Sequence, residues 1–255
     1  MELDKSSPDW NLPNFHESQY WKQYLNGGRT FIDIGAHVGT WTINLAKYYD
    51  RVISFEPDPR AHSVLKKNLE LNNITNVEIV PKAVSNKSGT VKFNLFHNPC
   101  TNTMMDPKQM GRTDLPISEI QVETISIDEF VKSRGITDVD FIKVDAEGAE
   151  LMIVEGGLNM FQTQQPDFFI EMHGLFYDRL KKILSFAKCD VLDGGRAGLS
   201  LLKHRNKWPA FESEDFRVYP HGISPTAADQ KALRALHGIV WEAPGGFLAA
   251  DYIDK

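Results

Sequence analysis

The run Phe31-Ile-Asp-Ile-Gly-Ala-His-Val-Gly39, leading into helix-period residues Thr40–Tyr49, constrains this chain most. An apolar strand that ends on glycine and restarts as a helix is the opening unit of an open α/β sheet. Glycines at 35 and 39 let the backbone turn tightly and approach a ligand where a Cβ would otherwise stand. The helix presents its first N–H groups to the same crevice, which lies at the carboxyl ends of the strands. The alternation continues. Strand candidates are Thr30–Ile34, Arg51–Phe55, Asn76–Val80, Thr90–Phe96, Ile120–Thr124, Val139–Val144 and Asp167–Met172. Asp58-Pro59-Arg60 reads as an N-cap followed by proline at the first helical position, and Asn72-Asn73 closes that helix. Apolar stripes at Ala149, Met152, Ile153, Gly156 and Met160, and again from Phe176 to Ala187, predict further helices over a parallel sheet.

Composition narrows the class. The 255 residues carry 28 Lys and Arg against 34 Asp and Glu, a net charge of −6, with 42% apolar and 24% charged residues. Those values exclude disordered, collagenous and coiled-coil chains and speak against a protein that coats nucleic acid. Cys100 and Cys189 cannot build a disulfide framework or a four-cysteine zinc site. No apolar run approaches the ~18–20 residues of a membrane span, and residues 1–14 lack the order of a secretory signal, so a soluble cytoplasmic protein is expected. Three regions follow. Residues 1–29 form a leader with Trp10, Phe15, Tyr20, Trp21 and Tyr24, read as core packing or as a lid. Residues 30–193 are expected to form the ligand-binding α/β core. Residues 194–255, where Gly238–Glu242 and Gly246–Ala250 are further strand candidates, read as an elaboration of the same domain.

The second strand ends at Glu56, 21 residues after Gly35, where a carboxylate accepts both hydroxyls of a ribose. The loop pattern, Asp33-x-Gly35-x-x-x-Gly39, differs from the G-x-G-x-x-G of a pyrophosphate site. A carboxylate before the first glycine repels phosphate and attracts a cation. The adenosine-containing cation that fits is S-adenosylmethionine. A nicotinamide-dependent oxidoreductase is the second reading, and a catalytically silent fold serving as a binding subunit the third.

The DIGAHVG loop, the FEPDP strand end, Ala83-Val-Ser85 and above all Ile142-Lys-Val-Asp-Ala-Glu-Gly-Ala-Glu150 resemble the FkbM family of S-adenosylmethionine-dependent methyltransferases, over Thr30 to His173. The resemblance implies an α/β, Rossmann-like class I methyltransferase fold: a mostly parallel seven-stranded sheet flanked by helices, with a reversed edge strand. It implies methyl transfer to hydroxyls of sugars, glycans or natural products, with nitrogen of a peptide or amide as the alternative acceptor. Carried over residue by residue, Asp33, Gly35 and Gly39 border the methionine part of the cofactor, with Ala36 and His37 in the same loop. Glu56 takes the ribose, and Ala83 and Val84 border the adenine. Asp145, at the end of the fourth strand, stands beside the transferable methyl, and Glu147 falls in the first turn of the next helix.

His173 ends the following strand, so Asp145 and His173 are the candidate bases for an acceptor hydroxyl. A divalent ion held by Asp145, Glu171 and His173 is the lesser alternative. The irregular loop Asn98–Pro116 suits an acceptor-binding lid. His204-Arg-Asn-Lys207 reads as a surface loop, with contact to an anionic acceptor as the alternative. Oligomeric state is left open.

Overall fold

The computed structural model describes residues 27–108, 110, 112–171, 189–193 and 199–204. In chain order the elements are β1 (Gly28–Ile34), α1 (Thr40–Leu45), β2 (Tyr49–Phe55), α2 (Pro59–Leu71), β3 (Val77–Val80), β4 (Ala83–Val84), β5 (Gly89–Leu95), β6 (Ser118–Ile125), α3 (Ile127–Ser133), β7 (Val139–Val144), α4 (Glu150–Glu155), α5 (Leu158–Gln164), β8 (Asp167–Glu171), β9 (Cys189–Asp193) and β10 (Leu199–His204). A seven-stranded sheet runs in the order β3-β2-β1-β7-β8-β10-β9, with β10 antiparallel to both neighbours and the other pairings parallel. The architecture is α/β, mainly parallel and flanked by helices, as expected.

β1 and β7 lie at the centre, and both of their faces are covered, which is why they read as nearly unbroken apolar runs. Ile32, Ile34, Ile142 and Val144 pack with Phe130, Ile153, Val154 and Phe161 from α3, α4 and α5. Phe31, Phe141 and Phe169 point the other way, against Trp41 of α1. Helix α2 begins where the sequence indicates: Asp58 Oδ1 accepts from the Arg60 N–H at 2.9 Å, Pro59 sits in the first turn, and Asn73 leaves the helix with a left-handed φ of 53°. Helix α1 is shorter than expected. It gives way to a 3-10 turn at Ala46–Tyr48, because Tyr49 already starts β2.

Two of the expected strands do not join the main sheet. Thr90–Phe96 and Ile120–Thr124 correspond to β5 and β6, which pair antiparallel with each other, and β4 adds in parallel to make a three-stranded side sheet. Their sequences alternate, with Phe93, Leu95 and Val122 on a small apolar cluster and Lys92, Gln121 and Glu123 exposed, the pattern of a sheet with one wet face. The main sheet is completed instead by β9 and β10, for which the sequence carried no strand assignment. The reversed strand is therefore β10, one place in from the edge rather than at it, since β9 covers its outer side. No helix among the described residues is long and apolar enough to cross a membrane.

Gly35 joins the sheet to the first loop with φ of 72°, and a Cβ built there would stand 1.9 Å from the Asp145 carbonyl oxygen. Gly35→Ala is expected to lose on the order of 3 kcal/mol of stability in urea denaturation, from left-handed strain and the backbone clash together. A loss below about 1 kcal/mol would show that β1 and β7 can separate at no cost.

Candidate active site

At the carboxyl edge of the sheet the β1–α1 loop is fastened to the end of β2. The Gly35 and Ala36 N–H groups both donate to the Phe55 carbonyl, at 3.1 and 3.0 Å. The His37 N–H donates to Glu56 Oε2 at 2.7 Å, and the Gly39 N–H to the Ala36 carbonyl at 2.8 Å. These donors are spent inside the protein, so the loop presents no ready cradle of N–H groups to a pyrophosphate. Gly39 has φ of 94°, and a Cβ there would meet Leu65 at 2.3 Å. Ala36 packs with Ile43, Leu65 and Leu69, which makes it a core residue.

Glu56 is 6% exposed, and its other oxygen accepts the Asp58 N–H at 2.8 Å. Each oxygen thus holds one protein donor and keeps a second acceptor site for a hydroxyl. Burial pushes this carboxyl up to about 7, against the lowering effect of the Asp58 and His37 N–H groups. His37 is held down to about 4 by burial and by the Lys143 ammonium, and its Nε2 lies 3.9 Å from Cys100 Sγ.

Beneath the loop, a polar row crosses three strands on the α1 side of the sheet. Ser54 of β2, Asp33 of β1 and Lys143 of β7 are in register. Thr42 of α1 donates to Asp33 Oδ2 at 2.6 Å and shares a hydrogen bond with Ser54 at 2.7 Å. The Lys143 ammonium, 2% exposed, donates to the Gly35 carbonyl at 2.7 Å. It also lies 3.6 Å from Asp33 Oδ1 and 3.3 Å from Asp145 Oδ2. The sequence reading put the Asp33 charge directly against a ligand. Asp33 is instead wholly enclosed, and the cation beside it is a lysine of the chain. Burial raises the Asp33 carboxyl above the ordinary range, with Lys143 and Thr42 opposing. Asp145 is the partly exposed end of the row, its side chain 14% accessible. Lys143 was not anticipated as a site residue. Its signal was a lone lysine in a buried strand, two residues before Asp145 and hence on the same face.

Glu147 is not in a helical turn. It has φ of 50° and Gly148 has φ of 99°, so the chain loops once more before α4 starts at Glu150. The buried Glu150 carboxylate closes this loop by accepting the Ala146 and Gly148 N–H groups, at 3.2 and 3.0 Å. The segment between β5 and β6 roofs both sides of the site. Asn102 donates to Asp58 Oδ2 at 2.8 Å, and the Thr103 hydroxyl to the Glu147 carbonyl at 2.7 Å. Met105 and Met110 press on Gly148, where a Cβ would meet Met110 at 2.7 Å. Arg112 stiffens the segment by stacking on the Phe96 ring, 4.0 Å from its centroid, and donating to the Thr101 carbonyl at 3.0 Å.

Ala83 and Val84, expected at an adenine, form β4, and their side chains pack into the side-sheet cluster and the main core respectively. His173 lies outside the described residues, as do the leader aromatics, the helical stripe from Phe176, Arg205–Lys207 and the two strand candidates beyond residue 237. His204 closes β10 rather than opening a loop. Among the described residues no group of three or more His, Cys, Asp or Glu is placed to hold a metal ion.

A family model described as "Methyltransferase FkbM domain" matches residues 33–193. The chain is 25% identical over 152 residues to "Methyltransferase sdnD" of Sordaria araneosa, covering 49% of this chain and 59% of that protein. It is 26% identical over 141 residues to "2-O-methyltransferase NoeI" of Sinorhizobium fredii, covering 49% and 56%. It is 28% identical over 159 residues to "Hexuronic acid methyltransferase AglP" of Haloferax volcanii, covering 61% of each. The matches thus span less than two thirds of these relatives' own lengths.

The Glu56 environment carries a pH signature. An acid whose folded pKa is about 7, above its ordinary 4.5, contributes stability fully present below pH 4.5 and lost as pH rises through 7. Glu56→Gln removes this dependence, on the order of 2–3 kcal/mol across that window. Urea denaturation of parent and variant between pH 4.5 and 8 measures it, and parallel stability curves would contradict the assignment.

Proposed function

Because the chain belongs to the FkbM methyltransferase domain family, we infer that it is an S-adenosylmethionine-dependent methyltransferase acting on a hydroxyl of a small molecule or glycan. The observation that carries this over a nicotinamide enzyme is the bonding of the glycine loop. Its N–H groups are satisfied by Phe55 and Glu56, which disfavours a pyrophosphate, while Glu56 keeps acceptor capacity for a ribose. These residues fit the cofactor. Glu56 would hold the ribose hydroxyls, and the backbone of Gly35, Ala36, His37 and Gly39 would border the methionine part. Since the Ala83 and Val84 side chains are turned inward, the pair would meet the adenine through backbone atoms. Asp33 would act on a cation through the field of the buried row, without contact.

When bound, the cofactor would supply a methyl group carried on a sulfonium as the electrophile for the acceptor oxygen, and would leave as the neutral thioether. The chain's part is to align the acceptor and take its proton, for which Asp145 and His173 are the candidates. Well-oriented reactants can account for ~7–11 kcal/mol of barrier lowering. The names of two relatives, a 2-O-methyltransferase and a hexuronic acid methyltransferase, support a sugar hydroxyl as acceptor.

Calorimetric titration with S-adenosylmethionine and with NAD tests the cofactor, and binding of NAD alone would overturn the reading. Glu56→Ala is expected to weaken S-adenosylmethionine about ten- to a hundredfold, the value of charge-assisted hydrogen bonds to two hydroxyls; unchanged affinity would remove Glu56 from the ribose site. Formation of S-adenosylhomocysteine over a panel of free and linked sugars, hexuronic acids included, tests the acceptor class. With an accepted sugar, Asp145→Asn is expected to lower kcat by roughly 10²–10⁴ while cofactor affinity changes far less. Turnover equal to the parent's would exclude Asp145 as base.

A further inference from the structure

Lys143 is the one buried cation in the polar row, and the proton-transfer chemistry above does not use it. Its ammonium stands between two carboxylates, 3.6 Å from Asp33 and 3.3 Å from Asp145, and is fixed from above by the Gly35 carbonyl. The row therefore runs carboxylate, ammonium, carboxylate, directly beneath the loop assigned to the methionine part of the cofactor. The two cofactor forms differ at that point by one charge: S-adenosylmethionine carries a sulfonium, S-adenosylhomocysteine a neutral thioether. A fixed charge in a poorly solvated site acts on the first and not on the second.

We propose that Lys143 is a specificity-determining residue that sets the balance between the sulfonium cofactor and its neutral product, by offsetting the carboxylates that would otherwise favour the cation. The inference rests on the reading of this crevice as the S-adenosylmethionine site. Two carboxylates against one ammonium leave the row one net negative charge, so the ammonium weakens the preference for the cation without abolishing it.

The test is the ratio of dissociation constants for the two ligands, measured by calorimetry. A loss of packing affects both ligands alike and cancels in that ratio, whereas a change of charge does not. Lys143→Met alone strands the enclosed Asp33, so the comparison is made in the Asp33→Asn background, where the carboxylate left without its lysine is the partly exposed Asp145. Adding Lys143→Met to Asp33→Asn is expected to move preference toward S-adenosylmethionine by at least ~fivefold. Asp145→Asn in the parent, a change at a partly exposed position, is expected to move it at least ~fivefold the other way. A ratio unchanged on adding Lys143→Met overturns the role of Lys143, whatever Asp145→Asn does. If the double variant does not fold, Lys143→Gln in the same Asp33→Asn background takes its place, and no shift there rejects the proposal. A parent that binds neither ligand overturns the cofactor reading itself, an outcome distinct from an unchanged ratio.

Discussion

The crevice depends on an ammonium group enclosed in the sheet. Lys143 reaches the carbonyl at the end of β1 and stands between carboxylates on its own strand and the neighbouring one. Enclosing a charge is costly unless its partners are fixed, and here the strand register fixes them: Asp33 lies opposite both Ser54 and Lys143. The central strands cannot slip by one residue without turning this row onto the opposite, wholly apolar face. The same row that supports the loop thus enforces the pairing of β2, β1 and β7.

Much of this was legible in the chain. Strands buried on both faces announce themselves as apolar runs, and the glycines of the loop after β1 lie with Glu56 at a spacing set by one β-α-β unit. Asp33 was placed against a ligand because spacing along the chain says nothing of which side a residue takes. Alternation does: Asp33 shares the face of Phe31, which is buried under Trp41. Lys143 escaped notice because its partner sits 110 residues earlier, and only register joins them.

The strands β9 and β10 were missed for another reason. Cys189–Asp193 and Leu199–His204 are short, and their place is decided by pairing with β8 and with each other. Glu147 misled in the opposite sense. Read as helical from its position after a strand, it belongs to a loop that Glu150 folds back by capturing two N–H groups. Local competition for backbone donors, invisible in a residue count, moved the helix start by three positions.

The hydrogen bonds from residues 35, 36 and 37 to the end of β2 bear on the entropy of ligand capture. A binding loop that is free in solution must be ordered by its ligand, and that ordering is subtracted from the affinity. Here folding has already done the ordering, so any ligand contact proposed for Glu56 and the loop backbone would be returned as affinity nearly in full. The same fastening limits adaptability. A loop spent on its own scaffold cannot reshape itself around a different nucleotide.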